Sequence, residues 1–66
     1  MTQEERFGAF ERIAYRAAKA RLAGRIQAAI NDEKNLDTAI NSIQHNIEKE
    51  DAEAARDRGT ERAMNE

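Results

Sequence analysis

AINDEKNLDTAINSI, residues 29–43, is the stretch whose reading decides how this chain folds. At its centre Asn31, Asp32, Glu33, Lys34 and Asn35 form a polar run longer than the gap an amphipathic helix normally leaves between core side chains. Asn31 tolerates the left-handed conformation that ends a helix. Asn35 or Asp37 can start another by accepting a backbone N–H. The run therefore predicts a loop over 31–35, a helix over about 3–30 before it and a helix over about 36–58 after it. Arg58-Gly59 reads as the end of the second helix, with Gly supplying a positive φ, and residues 59–66 read as a frayed tail. The expected fold is all-α, one helical-hairpin domain over 1–66.

Beyond the polar run, Leu36, Ile40, Ile43 and Ile47 fall at spacings of 4, 3 and 4, a narrow heptad seam. Followed backwards, the same frame takes in Ala29, Ile26, Leu22 and Tyr15, with Glu33 as its polar interruption. In a hairpin, Tyr15, Leu22 and Ile26 face Leu36, Ile40, Ile43 and Ile47 to form the core. A rival architecture is one continuous helix in a parallel coiled coil. Lys19, Arg12 and Gly8 at the earlier core positions count against it.

Composition agrees with helices. The chain has 66 residues, 39% apolar and 36% charged, with no Pro, no Cys and three Gly. There is no Val and no sustained period-two alternation, so strands have no support. A chain this short buries only ~60% of its unfolded surface and is marginal alone. Without Cys, neither disulfides nor Cys-based zinc sites can supplement the core. No apolar run approaches the ~18 residues of a membrane span, and no signal-peptide core is evident. The Ala/Arg-rich start is like a transit peptide in composition, but Glu4, Glu5 and Glu11 argue against one. A soluble cytoplasmic protein is the expectation.

Helix one has two apolar faces. One continues the heptad frame through Tyr15, Ala18, Leu22, Ile26 and Ala29. The other holds Phe10, Ile13, Ala17, Ala20, Gly24 and Ala28. A two-helix hairpin needs only one apolar face, so the second asks for another neighbour. Its small residues allow close backbone approach, which would offset the ~1 kcal/mol that Gly24 costs inside a helix. The expectation is a homodimer, a four-helix assembly with Phe10, Ala17, Ala20, Gly24 and Ala28 at a two-fold interface. The plainer alternative is that Ala is simply a good helix former.

Chemistry has little to work with. His45 is the only His, and Ser42, His45 and Glu48 share an outer helix surface, which offers neither an oxyanion site nor exclusion of water. His45 with Glu48 makes at most half a metal site. No enzyme, cofactor, metal or small-molecule substrate is expected.

Binding is better provided for. Residues 1–30 carry six bases and three acids, and residues 31–66 carry five bases and ten acids. Opposite signs on adjacent helices are one sufficient explanation. Arg12, Arg16 and Lys19 also form a basic ridge at helical spacing that can meet phosphates. In size and plan the chain resembles the plasmid-encoded Rop family, dimeric helical hairpins that bind paired RNA loops through their first helices. Phe7, Phe10 and Ile13, flanked by Arg6, Arg12 and Arg16, are the residue types of protein-interface hot spots, although they serve equally as the cap of a dimer core. Opening with ERFGAFER, residues 5–12, this Ala/Arg-rich hairpin resembles the small phage-encoded quorum-sensing anti-activators. Those proteins are dimers of helical hairpins that bind a LuxR-type transcription factor and block its DNA-binding region. The resemblance implies a host regulatory protein as target. The acidic second helix, with Glu48, Glu50, Asp51, Glu53 and Asp57, would then face a basic surface.

Overall fold

Thr2 opens the first helix: its side-chain oxygen accepts the Glu5 backbone N–H at 3.2 Å. Glu4 and Glu5 in the first turn and Lys19 and Arg21 in the last suit the helix dipole. In the computed structural model, which describes residues 2–66, this helix is α1, Gln3–Leu22. It is followed by α2, Ile26–Asn41, and α3, Asn46–Asn65, with no strand among the described residues.

The all-α class is as expected, but there are three helices rather than two. The predicted first helix stops early. Gly24 has φ 81°, its N–H bonds to Arg21 O at 3.1 Å, and the Arg25 N–H reaches Ala20 O at 2.8 Å, a paired closure typical of a glycine-terminated helix. The predicted loop over 31–35 is instead helical, inside α2. Ala29, Leu36 and Ile40 are enough to hold α2's buried stripe across the polar run. The run has its own partners too: Asp32 accepts two hydrogen bonds from Arg16 at 2.9 and 3.0 Å, and Glu33 accepts from Arg21 at 2.8 Å. The second break falls at Ser42–His45, where no Gly or Pro marks it. There the Ser42 hydroxyl donates to Thr38 O at 2.9 Å and the Ile43 N–H to Ile40 O at 3.0 Å.

These breaks dismantle the heptad seam. Leu36 and Ile40 are fully buried and Ile43 half-buried, but Ile47 lies on α3 and is 77% exposed. Leu22 and Ile26 flank the first turn and are exposed, and Tyr15 is half-buried against the end of α3.

The predicted tail is the last part of a helix. Ala52, Ala55, Gly59 and Ala63, at spacings of 3, 4 and 4, are all buried against α1. A Cβ on Gly59 would lie 2.1 Å from the Glu11 carbonyl oxygen and 3.1 Å from the Ala14 Cβ. Gly59 is therefore where two helix backbones meet. The two glycines exchange their expected roles: Gly24 terminates a helix with open space around it, and Gly59 permits close approach.

Ion pairs give the helix directions. Glu11 meets Arg58 at 3.4 Å and Arg62 at 3.9 Å, Lys19 meets Glu66 at 3.7 Å, and Arg6 pairs with Glu48, so α3 runs parallel to α1. α2 runs antiparallel between them in sequence. α1 packs on both neighbours, while α2 and α3 touch each other little. Phe10, Ala14, Leu36, Ile40, Ala52 and Ala55 form the core, with Phe7, Ile13, Ala39 and Ile43 packed against it. The second apolar face of helix one is thus real, but α2 and α3 of the same chain cover its inner part. Phe10, Ala17 and Ala20 are buried within one chain, and Gly24 and Ala28 are exposed at or just beyond the first turn. The five residues no longer form one surface for a second copy.

Three substitutions should separate this architecture from a hairpin. Gly59→Ala forces a methyl against backbone that cannot yield and should lower stability by about 1–3 kcal/mol in denaturant melts, despite better helix propensity. In a frayed tail it would be neutral. Leu36→Ala should cost about 2–5 kcal/mol, whereas Ile47→Ala should change stability by less than about 0.5 kcal/mol. A continuous seam would make those two losses similar.

Candidate binding site

The bundle closes at one end and opens at the other. Bulky side chains join the three helices around Phe10, near the start of α1. Towards Leu22 the floor shrinks to Ala14, Ala17 and Ala18, and a groove of about 340 Å³ opens between α2 and α3. Leu36, Glu33 and Asp37 line its α2 side, Arg56, Thr60 and Met64 its α3 side, with Arg21 and Leu22 contributed by α1. Leu22 and Met64 at its mouth are 65% and 69% exposed. Ile26 and Ile30, both exposed, lie on the same α2 stripe as Glu33 and Asp37.

The polar rim is neutralised from within. Arg21 pairs with Glu33 at 2.8 Å, and Arg56 reaches across to Asp37 at 3.1 Å. The outer face of α3 is different. Glu50, Glu53, Asp57 and Glu61, at spacings of 3, 4 and 4, lie opposite the buried Ala52–Ala63 stripe, and Asp51 is exposed on another side of the helix, about 100° from Glu50 around the axis. None of these five takes part in an ion pair among the described residues.

Of the acidic residues picked out by sequence, the structure brings Glu50, Glu53 and Asp57 onto one face of α3, with Asp51 exposed on another side. Glu48 is turned inward to Arg6. Phe7 and Ile13 are half-buried and Phe10 is buried, the two rings 6.0 Å apart, so the aromatic cluster is core rather than an open anchor. The basic ridge is largely spent. Arg16 is held by Asp32, which raises its pKa through hydrogen bonding and charge, and Lys19 by Glu66. Arg12 alone of the three has no ion-pair partner among the described residues. Ser42 and Glu48 are likewise engaged elsewhere, with Thr38 O and Arg6, and His45 is exposed at the start of α3. Among the described residues no group of three or more His, Asp or Glu side chains is placed to hold a metal ion. No helix of the described residues is long and apolar enough to cross a membrane.

Thr60, Glu61 and Met64 fall within residues 59–66, which read as a frayed tail in the sequence alone and therefore gave no sign of a groove wall. The small-residue spacing through Ala52, Ala55, Gly59 and Ala63 was the available signal. Comparison with protein-family models, with curated proteins and with solved structures finds no match.

One feature at the end of α3 is directly measurable. The Tyr15 hydroxyl donates to the Glu66 carboxylate while Arg62 lies over the ring at 4.5 Å. The hydrogen bond first, then desolvation and the carboxylate's charge, raise the phenol above its ordinary 10.0, against the opposing pull of Arg62. The neutral phenol is the form favoured by folding. Its contribution is complete below the ordinary phenol range and is lost as pH rises through the folded value. Tyr15 is the only Tyr, so phenolate absorbance reads it alone. Glu66→Gln should lower its titration midpoint, and an unchanged midpoint would mean that the terminal turn is not docked.

Proposed function

We propose that this chain is a non-catalytic protein-binding module that recognises a basic protein surface through the outer face of α3. One observation carries it: five carboxylates on a single helix, Glu50, Asp51, Glu53, Asp57 and Glu61, stand outside the ion-pair network that uses most of the chain's cations. Lys49 is the one cation of α3 without an ion-pair partner among the described residues. An uncompensated field of one sign steers a partner of the opposite sign and sets its association rate.

The resemblance to phage anti-activators gives this a narrower form. The ridge would stand in for DNA phosphates on the DNA-facing surface of a LuxR-type regulator, which it would thereby inhibit. A Rop-like RNA-binding role has less support, because Arg16 and Lys19 would first have to leave Asp32 and Glu66.

The probe is the isolated DNA-binding domain of a LuxR-type regulator, with operator DNA as competitor. Replacing Glu50, Glu53 and Asp57 by Lys should weaken capture about tenfold or more at low salt, mostly by slowing association. Capture that is indifferent to the charge reversal would refute the acidic-face mechanism. Retardation of RNA by the wild-type chain, abolished by Arg12→Ala, would favour the nucleic-acid alternative.

A further inference from the structure

We infer that the groove between α2 and α3 is the seat of a short amphipathic helix from the partner, apolar on one side and basic along the flank that meets α3. This rests on the protein-binding role proposed above and specifies the chemical form of the partner.

The groove has the dimensions to receive the anchoring side chains of a short helix. Its open floor runs from Ala14 to Leu22, which at ~1.5 Å per residue is about 12 Å, or roughly two helical turns. Its volume, about 340 Å³, accepts protruding side chains but not a helix backbone. A guest helix would therefore lie across the mouth and send down anchors about one turn apart, as in helix-in-groove recognition. Leu22 and Met64 line that mouth, and Ile26 and Ile30 continue the α2 stripe that holds Glu33 and Asp37; these are four of the five large apolar residues left exposed among the described residues. The fifth, Ile47, is at the opposite end, beside the second turn. The molecule is also more open than its length requires. Its Cα radius of gyration is 11.6 Å, against about 10.8 Å expected for 66 residues. Its accessible surface is 4683 Å², against about 4250 Å² for a folded chain of 7.5 kDa.

Charge selects the occupant. The groove's own rim charges are paired, Arg21 with Glu33 and Arg56 with Asp37, so they ask for no counter-charge. Immediately outside the α3 wall stand Glu53, Asp57 and Glu61, without ion-pair partners among the described residues. A guest resting on Leu22 and Met64 would present one flank to that ridge, and Lys or Arg at successive turns of the flank would match its repeat. A second copy of this chain matches poorly. The cations without ion-pair partners among the described residues, Arg12, Arg25, Lys34 and Lys49, are scattered over three helices and a turn and form no basic flank beside an apolar stripe.

The test uses the full chain and three synthetic helical peptides, read by fluorescence anisotropy and by methyl NMR of Ala17, Ala18, Leu22 and Met64. The first peptide carries Leu anchors one turn apart and Lys along one flank; the second has the anchors replaced by Ser; the third has the Lys replaced by Glu. The first should bind and move the groove methyls. Leu22→Glu with Met64→Glu, both at exposed positions and checked by circular dichroism, should weaken it about tenfold or more. Glu53→Lys with Glu61→Lys should weaken it as well. Equal binding by the Ser-substituted peptide, with the groove methyls unmoved, would overturn the groove as the seat while leaving the acidic face as the recognition element. Equal binding by the Glu-substituted peptide would overturn the charge selection and, with it, the proposed function. Concentration-dependent sedimentation as a dimer, with the groove methyls already shifted in the free protein, would overturn the inference in favour of a second copy.

Discussion

The backbone contact between α1 and α3 at Gly59 is the constraint on which the rest of the structure depends. Because Gly59 has no Cβ, the Glu11 carbonyl can occupy the space where one would stand. The neighbouring Ala52, Ala55 and Ala63 keep the two helices close along their length. Close packing of small residues gains dispersion energy from backbone and methyl contacts where no large side chain is available. It also fixes α3 parallel to α1 with its last turn docked, which places Glu66 on Tyr15 and Arg62 over the ring.

That close contact has a geometric consequence for α2. With α3 pressed onto one side of α1 by small residues, α2 is held on another side by Leu36, Ile40 and the Phe10 region. Large side chains close the triangle only near the start of α1. Further along α1 the floor residues are Ala14, Ala17 and Ala18, too short to fill the space between α2 and α3, and a groove remains. The taper from Phe10 and Ile13 to Ala17 and Ala20, visible along α1 itself, is the reason one end is filled and the other is not.

Charge follows the same division. Residues at helix junctions are paired: Arg16 with Asp32, Arg21 with Glu33, Arg56 with Asp37, Glu11 with Arg58 and Arg62. Being solvent-exposed, such pairs contribute little each, but they favour one register over its neighbours. Among the described residues, the acids without ion-pair partners are Glu4 and Glu5 in the first turn of α1 and five on α3, four of them along its outward face. The basic first half and acidic second half of the sequence are thus mainly complementary helices, with a residue of negative charge that complementarity does not consume.

By itself the sequence determined the helical class, the two apolar faces of the first helix and the acidic character of the second half. These follow from composition and from a local period of 3.6 residues. Leu36 and Ile40 as core were legible for the same reason. Tertiary structure decided where the helices stop and what each glycine does. Five polar residues at 31–35 look like a break when only the chain is considered. Arg16 and Arg21 on another helix supply the partners that let α2 run through them. Gly24 and Gly59 are both compatible with a helix end or with a close crossing, and nothing local distinguishes the two. The choice is made by a carbonyl 48 residues away in the chain, that of Glu11, which lies beside one glycine and not the other. The second apolar face likewise announced that helix one needs another neighbour. Only the fold could show that the chain's own end is such a neighbour, with Ala52, Ala55, Gly59 and Ala63 packed along α1.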